Sequence, residues 1–318
     1  MSRSCSKVLV TGGAGFIGSH VVDRLLSDGF EVVAIDNLCA GRLENLAHCQ
    51  NREDFRFIQG DVRDFGLVKR VVRDVDVVFH EAALVSVNRS VEDPALTNEV
   101  NVTGTLNLLK ACLGSGVRRF IYGSSSSVYG EAETLPKHEG LMPQPISPYA
   151  VSKLAAESYV KVFYKVYGLD TVCLRYFNVY GSRQAYGPYS GVITIFMNRL
   201  LSDQPPVIYG DGEQTRDFVD VRDVVDASML ALTNRGAVGE VFNIGTGVAT
   251  SINQLAGMLR EIAGKIDLKP VYENPRPGDI RHSLADIGKA KKILGYYPKV
   301  SLREGLSNLV DWYTKRSL

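Results

Sequence analysis

The chain of 318 residues has no long apolar run, no excess of charge of either sign and no cysteine pair with CxxC spacing. Because a membrane-spanning helix needs about 20 consecutive apolar residues, no segment is predicted to cross a bilayer. The first apolar run, Val8–Val10, is cut off by Gly12 and Gly13 and is too short for the core of a signal peptide. We therefore expect a cytoplasmic protein without a membrane partner.

The charges are nearly balanced, with 36 Lys and Arg against 35 Asp and Glu. A broad nucleic-acid surface needs clustered positive charge, so this balance argues against a nucleic-acid partner. The five cysteines are an odd number, and no His or Cys set has the spacing of a zinc site. We expect reduced thiols, most of them packing residues, and no bound metal.

Short apolar runs alternate with amphipathic stretches through the first half of the chain. The apolar runs are rich in Val, Ile and Phe without polar alternation, which is typical of parallel strands buried on both faces. They predict strands over Lys7–Thr11, Glu31–Asp36, Phe55–Gln59, Asp76–Glu81, Phe120–Ser125 and Thr171–Phe177. The stretches between them predict helices over Gly15–Asp28, Asp64–Asp74, Pro94–Gly114 and Pro148–Tyr167. This order indicates an α/β fold, a Rossmann-type doubly wound parallel sheet with right-handed crossovers.

The strand–helix rhythm breaks after Asn178, where Gly, Pro and aromatic residues dominate 181–217. The later sequence predicts a helix over Val219–Leu232, a strand over Glu240–Ile244 that rejoins the first sheet, and helices near Ser251–Gly264 and Ser301–Lys315. No Ser- or Gly-rich linker separates the two halves, so we expect them to share a cleft.

We predict two domains from this change of character. One is a dinucleotide-binding domain of 1–177 with 216–245, and the other is a smaller substrate-binding lobe of 178–215 with 246–318.

The glycines that follow the first strand are typical of a dinucleotide site. Gly12, Gly15 and Gly18 stand in the sequence TGGAGFIG, where a strand turns into a helix. Glycine permits the tight turn and lets backbone N–H groups approach a pyrophosphate at the helix N-terminus. Asp36, at the end of the second strand, can accept hydrogen bonds from an adenosine ribose and would repel a 2′-phosphate, which favours NAD over NADP. Arg42, a few residues on, leaves that preference open.

Other residues at strand ends are expected near the same cofactor. Phe16 and Ile17 should anchor the first helix in the core beside the glycine loop. The further expected contacts are Asp61, Val62, Ala82, Ala83 and Asn101. A solvent-facing position on its helix is nearly as compatible with the sequence around Asn101.

Tyr149 and Lys153 stand four residues apart on a predicted helix, so their side chains share one face. A free phenol, with a pKa of about 10, is a poor base at neutral pH, and a neighbouring ammonium would lower that pKa. The pair could then move a proton to or from a substrate hydroxyl. Together with Ser125, in a run of four serines, and a nicotinamide, they would form a hydride-transfer site.

Taken together, the motifs resemble the extended short-chain dehydrogenase/reductases, in particular the NAD-dependent nucleotide-sugar epimerase/dehydratase family and its UDP-GlcNAc and UDP-glucose 4-epimerases. The resemblance runs nearly end to end and is carried by TGGAGFIG, DNL at 36–38, GDVRD at 60–64, HEAA at 80–83, SSSSVYG, SPYAVSK, LRYFNVYG at 174–181, DGEQTRDFVDVRD at 211–223 and RPGD at 276–279. It implies a Rossmann domain that binds NAD and a C-terminal lobe that binds a nucleoside-diphosphate sugar.

The resemblance also implies roles for single residues. Tyr149 is similar to the family's catalytic base, and Lys153 to the residue that modulates its pKa and binds the cofactor ribose. Ser125 resembles the serine that hydrogen-bonds the sugar hydroxyl, with Ser126 as the alternative. Asn37 and Tyr176 are expected beside the cofactor. The expected substrate contacts are Ser86, Asn178 with Arg216 and Arg276 at the diphosphate, Asp279 at the ribose, Tyr209 at the uracil, and Ser283 at the hexose.

Ser126 and Ser127 bear on the reaction. The family's 4,6-dehydratases have Asp-Glu at these positions, whereas a serine hydroxyl cannot act as a general acid or base near neutral pH. The resemblance therefore favours 4-epimerisation, in which Tyr149 takes the C4 hydroxyl proton, NAD takes the C4 hydride, and both return after the 4-keto sugar has turned. Net redox is zero, so NAD should be held tightly.

Ser283 bears on the sugar. Epimerases restricted to UDP-glucose and UDP-galactose have a bulky Tyr there, whereas a serine leaves room for an N-acetyl group at C2. UDP-GlcNAc and UDP-GalNAc are thus favoured, with UDP-glucose and UDP-galactose also accepted. A UDP-uronate stays open, because Arg89 or Arg281 could meet a carboxylate, as does a solvent-facing loop position for Ser283. A 4-keto reductase and a non-catalytic NAD-binding protein are the remaining alternatives.

The same resemblance implies a homodimer formed through the helices near 94–114 and 148–167.

Overall fold

The computed structural model describes residues 6–132, 134–185, 187, 191–275 and 280–316. Its centre is a parallel sheet of seven strands: β1 (Lys7–Thr11), β2 (Glu31–Asp36), β3 (Phe55–Gln59), β4 (Val77–His80), β5 (Arg119–Ser125), β6 (Thr171–Tyr176) and, later in the chain, β11 (Val241–Ile244). The spatial order is β11-β6-β5-β4-β1-β2-β3. The predicted α/β fold of Rossmann type is confirmed, and Glu240–Ile244 does rejoin the sheet, where β11 pairs with β6.

The sheet is buried on both faces, as its apolar strands predict. Val8 and Val10 of β1 pack into one apolar cluster, and Leu9 between them packs into another. The helices of the first half are α1 (Phe16–Ser27), α2 (Phe65–Val72), α3 (Val87–Glu92), α4 (Pro94–Asn98), α5 (Gly104–Cys112) and α6 (Pro148–Tyr167). Strand order reverses between β1 and β4, so a crevice opens at the carboxyl ends of these two strands.

The helix predicted over Pro94–Gly114 is interrupted. A π-helical turn, Glu99–Thr103, separates α4 from α5. By contrast, the bounds predicted for α6 are confirmed. Pro148 occupies its first turn after the Ser147 cap, and Gly168 ends it with a left-handed φ of 71°.

The second half combines short strands with helices: β7 (Asn178–Tyr180), α7 (Val192–Leu201), β8 (Val207–Tyr209), β9 (Thr215–Arg216), β10 (Phe218–Asp220), α8 (Val221–Thr233), β12 (Thr250–Ser251), α9 (Ile252–Ile262), β13 (Val271–Glu273) and α10 (Leu302–Arg316). The helix predicted from Val219 is wrong at its start, because Phe218–Asp220 pairs with β7 before α8 begins. Apolar side chains of α7, α9 and α10 form a further core cluster. The exact boundaries of the two predicted domains remain a prediction.

Within the described part of the chain, no helix is both long and apolar enough to span a membrane.

Candidate active site

A cavity of about 270 Å³ runs along the crevice at the carboxyl ends of β1, β2 and β4. It is lined by most of the residues that the sequence placed near a cofactor: Gly12, Gly15, Phe16, Ile17, Gly18, Asp36, Asn37, Asp61, Val62, Ala82 and Ala83. A larger cavity, of about 880 Å³, is lined by Ser6, Phe30 and Tyr296 and lies at the amino ends of β1 and β2. Because ligands of doubly wound folds bind at the carboxyl ends of the strands, the smaller cavity is the candidate site.

The glycine loop has no room for side chains. Gly12 has a φ of +67°, and a Cβ at this residue would lie 2.8 Å from the backbone nitrogen of Ala82. A Cβ at Gly18 would lie 2.1 Å from the carbonyl oxygen of Gly12. The bare backbone therefore lies at the surface of the cavity, where the N-terminus of α1 favours an anion such as a pyrophosphate.

Asp36 closes one end of the cavity and also holds the loop in place. Its Oδ2 accepts a hydrogen bond from the backbone N–H of Ala14 at 3.1 Å, and its Oδ1 accepts one from Leu38 at 2.8 Å. Burial raises the pKa of this carboxyl, and the backbone N–H groups oppose that rise. Next to it, Asn37 donates to the Oδ2 of Asp61 at 2.8 Å. An acidic edge of this kind suits the ribose of a cofactor without a 2′-phosphate.

Phe16, Ile17 and Asn101, three residues expected near the cofactor, differ in their surroundings. Phe16 and Ile17 are both half-buried. Ile17 packs against the core as expected, whereas the ring of Phe16 contacts the ring of His20. Asn101 is 1% exposed, so its solvent-facing alternative is wrong. Its amide bonds the backbone of Leu84 and the hydroxyl of Ser152, so the side chain is committed to packing between elements and does not line the cavity.

Ser125, Tyr149 and Lys153 meet where β5 ends against α6. The hydroxyl of Ser125 lies near the phenol of Tyr149, whose pKa it lowers, and it accepts a hydrogen bond from the backbone N–H of Ser127 at 3.1 Å. Tyr149 is 9% exposed. Lys153 donates to the carbonyl oxygen of Gly123 at 2.7 Å, and its Nζ lies 4.9 Å from the centre of the Tyr122 ring. A reacting hydroxyl at this point would meet Ser125 and Tyr149 together, and this contact favours Ser125 over Ser126.

The expected electrostatics of Tyr149 need a correction. Burial raises the pKa of the phenol, and the hydrogen bond from Ser125 opposes this rise. Lys153 is directed at Gly123 and Tyr122, so in this structure it does not produce the lowered pKa that the four-residue spacing suggested. Burial also lowers the pKa of Lys153, whereas the carboxylate of Glu81 raises it.

Glu81 lines the cavity and was not among the site residues predicted from the sequence. It follows β4 and accepts a hydrogen bond from the hydroxyl of Tyr176 at 2.9 Å. The signal was an acidic side chain at the carboxyl end of a buried strand. The hydroxyl of Tyr176, which was expected beside the cofactor, is directed at Glu81, and Tyr176 does not line the cavity. Arg183 and Gln184 also line the cavity, and no motif pointed to them.

A second cavity, of about 200 Å³, brings together three of the expected substrate residues, Asn178, Tyr209 and Arg216. Arg216 reaches the carbonyl oxygens of Thr215 and Arg281. Gln214, which the sequence analysis did not assign, is also in the wall and donates to the carbonyl oxygen of Tyr209 at 2.8 Å. An amide, a ring and a guanidinium around one cavity suit a nucleotide with its phosphates.

The remaining expected substrate residues have different outcomes. Ser283 is 6% exposed, so a solvent-facing loop position is wrong. Ser86 caps α3 by accepting a hydrogen bond from the backbone N–H of Arg89 at 3.1 Å. Arg276 and Asp279 lie outside the described residues. Within the ranges that the structure covers, no group of three or more His, Cys, Asp or Glu is placed to hold a metal ion.

Residues 8–245 match the model of the NAD dependent epimerase/dehydratase family. The chain belongs to the NAD-dependent epimerase/dehydratase family. NAD is its cofactor, and the cavity fits that group, because the side-chain-free glycine loop and the acidic edge at Asp36 meet the needs of a dinucleotide's pyrophosphate and ribose.

Individual relatives cover nearly the whole length of this family member. A UDP-glucose 4-epimerase of Mycolicibacterium smegmatis is 42% identical over 313 residues, which are 98% of this chain and 99% of that protein. The structure of a UDP-glucose 4-epimerase from Thermotoga maritima with UDP-glucose has a TM-score of 0.93 and 44% identity, covering 98% of this chain and 100% of that one. A UDP-N-acetylglucosamine 4-epimerase from Methanobrevibacter ruminantium M1, in complex with UDP-N-acetylmuramic acid, has a TM-score of 0.93 and 40% identity, covering 98% and 99%.

Proposed function

We propose that the protein is a UDP-sugar 4-epimerase that works through a transient 4-keto sugar. UDP-GlcNAc and UDP-GalNAc are the favoured pair, and UDP-glucose and UDP-galactose are also accepted. The observation that carries the proposal is the proximity of Tyr149 to Ser125, with Lys153 held at Gly123 of the same strand. Glu81 in the wall of the dinucleotide cavity also lies against Gly123, so these residues adjoin that cavity. The relatives described above act on both kinds of sugar, so the choice between them depends on this chain's own residues.

The proton is handled by Tyr149 and Ser125. The phenol of Tyr149 is the base that takes the proton of the sugar's C4 hydroxyl, and Ser125 holds that hydroxyl against it. NAD, when bound, accepts the hydride from C4 and gives it back. Burial raises the pKa of Tyr149. The phenolate therefore needs a positive charge nearby, and Lys153, held by the carbonyl oxygen of Gly123 in this structure, is the proposed source of that charge once the cofactor is bound.

The segment after Ser125 favours epimerisation over dehydration. Ser126 and Ser127 begin a short 3₁₀ turn, so two hydroxyls stand where elimination of water needs an acid and a base. With neither in this turn, the 4-keto sugar has no group here to expel its C6 hydroxyl, and return of the hydride is the remaining step.

The substrate contacts are proposed to divide between nucleotide and hexose. Asn178 and Arg216 hold the diphosphate and Tyr209 borders the uracil, so the UDP stays fixed while the 4-keto hexose rotates. The buried side chain of Ser283 is proposed to leave room for an N-acetyl group. The guanidinium of Arg281 forms a bidentate ion pair with the carboxylate of Asp211, with hydrogen bonds of 2.7 and 2.8 Å. This pairing weakens the alternative that Arg281 binds the carboxylate of a UDP-uronate.

The test uses purified protein without added NAD, given UDP-GlcNAc and UDP-glucose in separate reactions, with the products resolved by NMR. We expect the C4 epimer of both, with UDP-GlcNAc the faster. Tyr149→Phe should abolish turnover while NAD binding is kept, and Ser283→Tyr should remove turnover of UDP-GlcNAc far more than of UDP-glucose. Absence of any epimer, even with NAD supplied, would refute the proposal and shift attention to a UDP-uronate or a 4-keto reductase.

A homodimer through α6 and the helices near 94–114 is proposed as well. The exposed apolar side chains of α6 include Val151, Tyr159, Val162 and Val166, which are 52, 40, 45 and 67% exposed. Their helical spacing places them along one side of α6, and a row of this kind is typical of a protein–protein contact. A monomeric mass by sedimentation at micromolar concentration would contradict it.

A further inference from the structure

Glu81 is a carboxylate in the wall of the cofactor cavity that the proposed proton transfer does not use. Its backbone N–H donates to the carbonyl oxygen of Thr11 at 3.2 Å, which places it at the carboxyl end of β4 beside β1. Its Oε1 is held by the hydroxyl of Tyr176 at 2.9 Å. Its Oε2 lies against Gly123, where a Cβ would be only 2.5 Å away. The carboxylate is therefore fixed from two neighbouring strands, β5 and β6.

Lys153 approaches the same glycine from α6. Its ammonium donates to the carbonyl oxygen of Gly123 at 2.7 Å. Gly123 therefore lies between the carboxylate of Glu81 and the ammonium of Lys153. Burial raises the pKa of Glu81, and Tyr176 and Lys153 oppose that rise. Glu81 in turn raises the pKa of Lys153 against the effect of burial. Each group therefore favours the charged form of the other.

The reactive end of the cofactor belongs at this point. The adenosine end of the cavity is marked by Asp36, and the glycine loop receives the pyrophosphate. The nicotinamide must then reach toward Tyr149, since hydride and proton leave the same sugar carbon and its hydroxyl. Glu81 lies in the cavity wall and also against Gly123, whose carbonyl oxygen binds Lys153, so it stands between the glycine loop and the meeting point of β5 with α6.

We propose that Glu81 sets the relative affinity of the protein for the oxidised and the reduced cofactor. The oxidised nicotinamide ring is positively charged and the reduced ring is neutral. A fixed carboxylate stabilises the positively charged oxidised ring. The ammonium of Lys153 has the opposite effect, because it repels the oxidised ring and not the neutral reduced ring. The carboxylate of Glu81 thus offsets the repulsion between the oxidised ring and the ammonium of Lys153, which proton transfer requires. Glu81 acts on the charge of the nicotinamide ring and not on the sugar.

The inference extends the proposed function, because an epimerase has to return the hydride that it removes. A protein that bound the reduced cofactor too well would stop after the first half of the reaction. A 4-keto sugar that escaped at that stage would leave the protein inactive. With Glu81 favouring the oxidised form, hydride return to the 4-keto sugar is the downhill direction.

The test compares the dissociation constants of NAD⁺ and NADH in wild type and Glu81→Gln, by calorimetry on protein freed of cofactor. The pH is set between the raised pKa of Glu81, about 7, and the lowered pKa of Lys153, about 8, so that both groups carry charge. We expect the preference for NAD⁺ over NADH to fall about tenfold, which is about 1.4 kcal/mol. Glu261→Gln is the matched control, because that carboxylate pairs with Arg303 on the surface and should leave the ratio unchanged.

Two further variants distinguish an effect of the Glu81 charge from a general disturbance of the cofactor site. Tyr176→Phe removes the hydrogen bond that keeps the pKa of Glu81 down, so it should shift the ratio in the same direction by a smaller factor. Lys153→Met should shift it in the opposite direction. An equal loss of affinity for both cofactor forms in Glu81→Gln, or an unchanged ratio, would overturn the inference. If wild type bound neither form, the cofactor site itself and with it the proposed function would be wrong.

Discussion

The ion pair between Glu157 and Arg175 holds the start of the serine segment and gives a sharp stability prediction. The two side chains are 1% and 3% exposed and are joined by two contacts of 2.6 and 3.0 Å. Ser124, one residue before Ser125, donates to the same carboxylate at 2.8 Å, and the guanidinium of Arg175 lies 4.7 Å from the centre of the Tyr129 ring. Glu157→Gln keeps the volume but removes the charge.

The expected cost is large because the remaining cation stays buried. Removing one partner of a buried ion pair costs about 3–5 kcal/mol, a large part of the roughly 5–15 kcal/mol by which a protein of this kind is stable. The exposed pair of Glu261 and Arg303 contributes at most about 1 kcal/mol. Glu157→Gln should therefore lower the free energy of unfolding several times more than Glu261→Gln does.

Urea unfolding followed by circular dichroism measures this difference. With an m-value of about 3 kcal/mol/M, Glu157→Gln should move the midpoint of the transition down by about 1 M or more. The double variant Glu157→Leu with Arg175→Met should recover most of the loss, because it leaves no uncompensated charge. If Glu157→Gln shifted the midpoint no more than Glu261→Gln, the reasoning from burial would be refuted.

Three more predictions concern the cofactor side of the sheet. His80 is buried between the hydroxyls of Thr11 and Thr105 at 2.7 and 2.8 Å, and burial, helped by Lys153, lowers its pKa to about 3. In the unfolded protein His80 takes up a proton near pH 6.5, so the free energy of unfolding falls as the pH drops below this value, by about 1.4 kcal/mol per pH unit. Urea unfolding at a series of pH values should show this loss relative to His80→Asn. A difference between the two proteins that did not change with pH would contradict it. Gly18→Ala should weaken NAD binding at least about tenfold, because its methyl group overlaps the carbonyl of Gly12, and unchanged calorimetric affinity would show that the loop does not hold the pyrophosphate. Asp36→Asn should lower the ratio of NAD to NADP affinity about tenfold, and an unaltered ratio would remove Asp36 from cofactor selection.

Most of the sheet could be predicted from the sequence because its strands are short and apolar on both faces. The bounds of β1, β2 and β3 agree with the prediction, and α6 is marked at both ends by Pro148 and Gly168. The short strands after Asn178 could not be found in this way. Strands of three residues, such as β7 and β10, have no periodicity of their own and form because tertiary packing brings them together.

The residues of the candidate site likewise fall into those that a local sequence pattern predicts and those that only the tertiary structure reveals. The glycine loop, Asp36 and Tyr149 have local signals, since each depends on a turn, a strand end or a helix spacing. The relation between Glu81 and Lys153 has none, because it arises from the pairing of β4 with β5 and from the packing of α6 on β5. The direction of the Tyr149 pKa shift was missed for a related reason, as burial is a property of the folded chain rather than of a spacing.

The position of β11 in the chain has a consequence for how the protein is made. β11 completes the sheet by pairing with β6, yet it follows the whole of 178–240 in the sequence. During synthesis the outer edge of β6, a strand buried along its whole length, stays without a partner until that segment has left the ribosome. Most of the wall of the cavity around Asn178, Tyr209 and Arg216 is therefore translated before the sheet is complete. A chain that stops short of Val241 would leave a long apolar edge open and should aggregate.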